Sequence, residues 1–144
     1  MSNDLEWLLV RKSNSFIVKR VAEGPIFTKE PGNLTNIHSH KYSGIANAKT
    51  VDVRATPAGI AITHRKAKAS PQAVRAARAT TVIRPRTGPR RALGIAARTA
   101  KRGYRPDLRA ATLARVSALV AAQKDPKEAP PKKLRGKKAH LGLV

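Results

Sequence analysis

Eleven side chains between residues 84 and 115 have the types and spacing needed to bind phosphate groups. Most are arginines, whose planar guanidinium group can hold two phosphate oxygens at once or stack on a base. If residues 89–102 are helical, Arg91, Arg98 and Arg102 fall on one stripe, because successive helical residues are turned by about 100°. The predicted nucleic-acid contacts are Arg84, Arg86, Arg90, Arg91, Arg98, Lys101, Arg102, Tyr104, Arg105, Arg109 and Arg115.

Residues beside these cations have other predicted roles. The Tyr104 ring is either a packing anchor at a helix corner or a platform for base stacking. Asp107 is expected to cap a helix or to pair with a neighbouring arginine rather than to contact a polyanion. Arg84 and Arg86 lie in a proline-bounded segment, which we expect to be extended.

The charge of the chain is distributed unevenly. From Arg54 to Lys124 there are seventeen Lys and Arg residues and one acid, Asp107, whereas the first 53 residues carry five acids and seven bases. The formal net charge is +22. Self-repulsion of this size opposes a compact state, so we expect an anionic partner to complete the folded protein. Nucleic acid is the partner that such an excess of basic residues indicates.

The sequence lacks the residues that catalysis or metal binding would require. There is no Cys, which removes disulfides, thiolate metal ligands and thiol nucleophiles. His38 and His40 could bind a metal, but no third ligand is apparent, and we predict no metal site. The carboxylates are scattered, and no phosphate-binding glycine loop or catalytic Ser or Thr is recognisable. We therefore predict no enzyme activity, no catalytic residue, no cofactor and no small-molecule substrate.

Targeting and membrane segments are not apparent either. The first residues are acidic, and the longest early aliphatic run is Leu8-Leu9-Val10, unlike a secretory signal or a mitochondrial presequence. Nothing approaches the ~20 apolar residues of a membrane span. We expect a soluble, intracellular protein without a membrane partner.

The first third of the chain is expected to hold the main core, because it contains four of the five aromatic residues. Asn3 and Glu6 resemble a capping box and predict a helix from Asp4 to Arg11. Leu5, Leu8 and Leu9 share one face of that helix, and Trp7 among them is expected to be buried. Ser15–Arg20 is predicted to be a strand, and Phe27–Tyr42 mostly loop. Two antiparallel strands joined by a turn follow, with alternating apolar residues at Val51, Val53, Ile60 and Ile62.

The later part of the chain is predicted to be helical. Ser70 and Pro71 open a weak helix that reaches about Ala79. A better helix runs from Pro89 to Arg102 and ends at Gly103. Another begins at Pro106 and ends near Gln123.

We divide the chain into three parts: a small α+β core at 1–64, a basic helical region at 65–124 with a helix–helix corner at 103–106, and a basic Pro/Lys-rich tail at 125–144. The predicted fold class is α+β. It has a small antiparallel sheet with a short N-terminal helix, then basic helices and a disordered or extended tail.

The distribution of charge favours folded RNA over a single DNA groove. The sequence matches neither a zinc finger, a basic zipper nor an RNA-recognition motif. The basic residues are spread over strands, corners, helices and tail. This is typical of a protein that touches a folded RNA backbone from several directions. Two rivals remain: a DNA-condensing chromatin protein, although Arg outnumbers Lys by sixteen to fourteen, and a free-standing RNA chaperone.

The block Tyr104-Arg105-Pro106-Asp107-Leu108-Arg109 is the most specific motif of the chain. It is accompanied by Arg115, Ser117-Ala118 and Gln123-Lys124, and earlier in the chain by Trp7, Val10-Arg11, Ser15-Phe16, Lys19-Arg20, Glu30-Pro31, Asn33-Leu34, Tyr42, Gly44 and Lys49-Thr50-Val51. With these residues in this order, the chain resembles the eukaryotic large-subunit ribosomal protein family twenty-eight. The segment from Arg65 to Pro89 is richer in Ala and Arg than the family pattern, and the tail after Lys124 departs from it.

This resemblance implies a structural constituent of the cytosolic large (60S) ribosomal subunit, with no catalysis. The implied partners are large-subunit ribosomal RNA and neighbouring ribosomal proteins, and the implied location is the cytoplasm, with assembly in the nucleolus. An alternative is a nucleolar ribosome-assembly factor that shares a similar N-terminal domain. Proteins of that family usually carry Cys and a long acidic C-terminal part, which this chain lacks.

Overall fold

The structure, a computed structural model, describes residues 2–18, 22–70, 72–101, 103–125, 128 and 130. The fold is α+β, with a short N-terminal helix, two small antiparallel sheets and C-terminal helices, as predicted. In chain order the elements are α1 (Asn3–Val10), β1 (Ile17–Val18), β2 (Phe27–Thr28), β3 (Val51–Thr56), β4 (Gly59–Arg65), β5 (Arg78–Ile83), α2 (Pro89–Thr99), a 3₁₀ turn (Pro106–Leu108) and α3 (Arg109–Ala122).

The larger sheet has the order β3-β4-β5 and is antiparallel throughout. Val53 pairs with Ile62, and Ile60 pairs with Ile83. The turn between β3 and β4 is closed at Gly59, which has φ +126 and would place a Cβ 2.0 Å from the Ile83 carbonyl oxygen. The hairpin predicted from the alternating Val and Ile residues is therefore confirmed. The smaller sheet pairs β1 with β2.

The core lies between the three-stranded sheet and the two long helices. Val51, Val53, Ile60, Ile62 and Ile83 supply the sheet side. The helices contribute Ala92, Ala96 and Val116, the 3₁₀ turn contributes Leu108, and Leu34 comes from the loop between β2 and β3. Alternation along the strands places one set of side chains on this face. The core cluster therefore contains residues from both sides of position 64. The boundary between the predicted α+β core at 1–64 and the predicted helical region at 65–124 stays a prediction.

The expectation that the main core lies near the N-terminus is wrong. Phe16 and Phe27 are partly exposed, and the leucines of α1 face outward. Trp7 is only half-buried. Aromatic content was misleading because β-branched residues in paired strands, with small alanines that let the helices approach, fill this core. The predicted capping box is also wrong: Ser2 is the N-cap, without a side-chain cap bond, and Asn3 is already helical.

A second correction concerns the weak helix predicted from Ser70 to Ala79. Turns and bends occupy residues 72–77, and the edge strand β5 begins at Arg78. The run Thr80-Thr81-Val82-Ile83 is β-branched and pairs along β4, so strand pairing overrides the helical tendency of the neighbouring alanines.

Two details of the later region also differ from prediction. α2 ends at Thr99 rather than Arg102, because Ala100 leaves the helical conformation with φ −99 and ψ 63. Arg84 and Arg86 lie in a turn instead of an extended segment, since the Thr87 N–H donates to the Arg84 carbonyl at 2.9 Å. The helix after Pro106 is confirmed: it begins with the 3₁₀ turn and ends at Ala122.

Candidate nucleic-acid interface

Six of the predicted contact residues form one exposed set, which we call the α2 basic face. Each has an exposed side chain, and they come from the turn before α2, from α2 itself and from the residues after it. The members are Arg84, Arg86, Arg90, Arg91, Arg98 and Lys101. Arg102, predicted to share the stripe, lies outside the described residues.

The sequence of α2 explains why this face points outward. Ala92 and Ala96 are fully buried on the opposite side, where α2 packs against α3. Small side chains at i and i+4 allow close approach of the helices and fix the rotation of α2. Arg91 and Arg98, seven residues apart, then lie about 10 Å apart along the outer side.

The first turn of α2 is electrostatically unusual. It contains Arg90 and Arg91 and no acid, and the N-cap, Gly88, gives no side-chain hydrogen bond. The amino end of a helix carries partial positive charge and free N–H groups, which favour anions. Cations at this end of a helix are unfavourable in isolation and would be favourable beside a bound anion.

A groove runs along α2 beside these cations. One cavity of about 470 Å³ lies between α2, β4 and β5, and a second of about 370 Å³ continues along the helix. The two share Ile95 and Arg98. Sequence reasoning missed Ile95, although it lies within a turn of both Arg91 and Arg98. The groove residues are His64, Thr81, Arg91, Gly94, Ile95, Arg98, Thr99, Lys101 and Tyr104.

Arg105 lies inside the protein rather than on this face. Its guanidinium donates to the Lys41 carbonyl at 2.7 Å and to the Lys49 carbonyl at 3.0 Å. It also donates to both carboxylate oxygens of Asp107 at 2.8 Å, and only 16% of its side chain is exposed. Arg105 thus ties the helix corner to the loops before β3, and no RNA contact is proposed for it.

Arg115 has a similar internal role. Its Nε donates to the Val53 carbonyl at 2.8 Å and its Nη1 to the Leu34 carbonyl at 3.0 Å, joining α3 to β3 and the preceding loop. Arg109 is exposed and donates to the Ala97 carbonyl at 3.1 Å, which links α3 to the end of α2. We therefore place Arg115 in the scaffold and Arg109 at the rim of the α2 basic face.

The contacts of Tyr104 favour packing over base stacking. Its hydroxyl lies 2.9 Å from the Thr50 carbonyl oxygen and 2.6 Å from that of Arg65, and its hydrogen is shared between them. His64 lies edge-on to its ring at 5.9 Å. Burial raises the pKa of Tyr104 above its ordinary 10.0, so the hydroxyl remains a donor at neutral pH.

Tyr104→Phe is expected to lower the free energy of unfolding by about 1–2 kcal/mol, because two carbonyls lose their donor. RNA affinity should not change. Urea unfolding measures the first quantity, with Tyr42→Phe as control, since the Tyr42 hydroxyl has no hydrogen bond within the described residues. Equal losses in the two variants would contradict the anchoring role.

Asp107 pairs with Arg105, as predicted. Hydrogen bonds from the Arg105 guanidinium hold the pKa of Asp107 below its ordinary value of 3.8. A lowered carboxyl pKa adds stability that is fully present above the unfolded-state pKa and is lost as pH falls through the folded-state pKa.

Asp107→Asn should therefore reduce stability at neutral pH. Its difference from the unmodified protein should shrink as pH falls below about 4. Chemical unfolding at several pH values measures this, and Asp125→Asn, at an exposed position, should show little difference at any pH. A constant difference for Asp107→Asn down to the lowest pH would refute the link between the ion pair and stability.

A buried polar network lies away from the α2 basic face and was not anticipated. Glu30 is 3% exposed; Asn33 Nδ2 donates to one of its carboxylate oxygens and Ser43 Oγ to the other, each at 3.1 Å. Glu30 and Asp52 line a cavity of about 450 Å³ beside Arg54. Lys29 and Arg115 also line that cavity, but its two acids distinguish it from the α2 groove, whose lining contains no Asp or Glu.

The histidines that were considered as metal ligands have other contacts. His38 and His40 lie against the Trp7 ring, at centroid distances of 4.9 and 5.7 Å. Within the described residues, no group of three His, Cys, Asp or Glu side chains could hold a metal ion. Among these same residues, no helix is both long enough and apolar enough to span a membrane.

A model of one protein family matches most of the chain. The family model described as the Ribosomal L28e protein family matches residues 5–122. The chain belongs to this family. The resemblance based on Tyr104–Arg109 is thereby confirmed, and as a member of the L28e family the chain is a ribosomal protein.

Two similar proteins match along most of the chain, and a third matches about half of it. The large ribosomal subunit protein eL28 of Dictyostelium discoideum is 32% identical over 135 residues, covering 94% of this chain and 98% of the relative. The protein of the same name from Schizosaccharomyces pombe is 33% identical over 129 residues, covering 88% and 96%. That from Caenorhabditis elegans is 34% identical over 71 residues, covering 49% and 56%.

Proposed function

We propose that this ribosomal protein is a structural constituent of the cytosolic large ribosomal subunit and that it stabilises folded ribosomal RNA through its α2 basic face. Guanidinium and ammonium groups neutralise phosphates there, and the groove along α2 follows the RNA backbone. Assembly into the subunit takes place in the nucleolus, and neighbouring ribosomal proteins complete the environment of the chain.

The observation that carries this proposal is the division of the arginines into two groups. Arg105 and Arg115 use their donors on backbone carbonyls and lock the fold. The cations of the α2 basic face are exposed, and the first turn of α2 contains no acid. A rigid surface with many cations and few competing acids suits backbone recognition of a folded RNA.

Sedimentation tests the proposed assembly. Cell extracts that contain the tagged full-length protein are washed at moderate salt and separated on a sucrose gradient. The protein should remain with mature large subunits and translating ribosomes. Confinement to nucleolar precursors would favour an assembly factor, recovery with chromatin would favour DNA condensation, and release as free protein would favour an RNA chaperone. Any of these three results would refute the proposal.

A further inference from the structure

Helix α1 presents an apolar stripe to solvent. Leu5, Leu8 and Leu9 are 48%, 56% and 67% exposed, and no residue of α1 is buried. Their spacing of i, i+3 and i+4 places them on one side of the helix. Three adjacent exposed leucines on a small protein indicate a contact surface, because isolated exposed apolar residues are common but clusters are not.

The opposite side of α1 is held against the protein, so the leucine stripe has a fixed direction. Trp7 stacks on the His40 ring with an interplanar angle of 18°. The residue after the helix, Arg11, accepts a hydrogen bond at its carbonyl from His38 Nε2 at 2.7 Å. These contacts hold both the middle and the end of α1.

Acids border the stripe on both sides. With 100° per residue, Asp4 lies next to Leu8 on one edge and Glu6 next to Leu9 on the other. The helix itself contains no Lys or Arg. Asp4 also lies 3.7 Å from His40, and Arg11 and Lys12 follow the C-terminal end of the helix. In a chain of net charge +22, the two edges of the leucine stripe within α1 thus carry acids and no Lys or Arg.

We propose that this face of α1 docks an apolar segment bordered by Lys or Arg, presented by a neighbouring protein of the large subunit. This inference rests on the function proposed above. Phosphates are repelled by Asp4 and Glu6, and leucine side chains offer RNA no hydrogen bond, so RNA is a poor occupant. A second copy of this chain is also a poor occupant, because three leucines from each helix would bury too little surface to hold a dimer together.

The contact is too small to form between free proteins. Three leucines bury far less than the area of about 1,200–2,000 Å² that is typical of stable complexes. Within an assembled subunit both partners are already held in place, and the high effective concentration makes a small contact sufficient. The interaction should therefore be sought in intact subunits rather than with isolated proteins.

Site-specific photocrosslinking in cells tests this docking. Leu8 is replaced by p-benzoylphenylalanine, and Ala114, on the exposed side of α3, carries the same probe in a control protein. After irradiation, large subunits are purified on a gradient, and adducts are identified by peptide mass spectrometry. The position-8 probe should join a ribosomal protein at an apolar segment bordered by Lys or Arg, and the position-114 probe should not join that segment.

Charge neutralisation gives a second readout of the same contact. Asp4→Asn with Glu6→Gln should lower the position-8 adduct yield by about threefold, because the flanking attraction is lost. Asp125→Asn with Glu128→Gln makes the same charge change elsewhere and should leave the yield unchanged.

Several outcomes would overturn the docking proposal: an adduct with RNA, with another copy of this chain or with an acidic segment, or no adduct in subunits that contain the protein. An unaltered yield after neutralisation of Asp4 and Glu6 would also overturn it. Failure of the protein to sediment with large subunits would instead refute the proposed function together with the docking.

Discussion

Gly44→Ala is expected to lower the free energy of unfolding by about 3 kcal/mol, among the largest effects of any single substitution in this protein. A Cβ at position 44 would lie 2.0 Å from the Pro31 carbonyl oxygen and 2.9 Å from backbone atoms of Gly32. These neighbours are backbone, so no side-chain rotation can relieve the overlap. The two crossing segments carry Glu30 and Ser43, and their separation would also disturb the buried carboxylate.

Gly94→Ala is the matched control for this substitution. A Cβ at position 94 meets no atom within 4 Å, and the residue lies inside α2. Alanine should stabilise the protein there by about 0.5–1 kcal/mol through helix propensity. Urea unfolding of the two variants compares them directly. A small loss in Gly44→Ala would show that the two loops are less tightly packed than the structure indicates.

The double variant Arg91→Gln with Arg98→Gln is expected to weaken RNA binding by about a hundredfold at low salt, because two charge-assisted contacts are lost. The slope of log affinity against log salt concentration should become shallower by about 1.4–1.8, since each of the two lost phosphate contacts accounts for roughly 0.7–0.9 of it. Filter binding of the full-length protein to large-subunit ribosomal RNA at several salt concentrations measures both quantities. Glutamine preserves much of the side-chain length, and the exposed positions should leave stability within about 0.5 kcal/mol.

Arg11→Gln with Lys12→Gln removes the same two formal charges at exposed positions after α1. This control should change the salt slope much less, because its charges lie outside the α2 basic face. Equal changes in the two double variants would mean that net charge alone, rather than a particular surface, attracts the RNA.

Much of the fold could be predicted because several local signals agree. The β3–β4 hairpin has alternating Val and Ile residues, and α3 has a proline start and an apolar face, so pattern and packing point the same way. β5 was missed because alanines before it mimic a helix, and its strand character depends on pairing with β4. Trp7 of α1 was expected to be buried but is only half-buried, since periodicity shows that a helix has an apolar face but does not show what covers it.

The candidate site, like the fold, was only partly predictable from sequence. An excess of base in sequence predicts contact with a polyanion, and the exposed positions of Arg91 and Arg98 agree with a helical stripe. Sequence could not distinguish these two residues from Arg105 and Arg115. The carbonyls that Arg105 and Arg115 bind lie 56 to 81 positions away along the chain, so no local pattern reveals them. Tertiary contacts decide which guanidinium groups hold the fold and which remain available to a partner.

Arginine modification by phenylglyoxal, read by mass spectrometry in the free protein and in intact large subunits, tests this division most directly. Arg91 and Arg98 should react readily in the free protein and become protected in the subunit. Arg105 and Arg115 should react slowly in both states, because their donors are already bound within the fold. The account would be contradicted if Arg91 and Arg98 stayed reactive in assembled subunits, or if Arg105 and Arg115 were reactive in the free protein and became protected only on assembly.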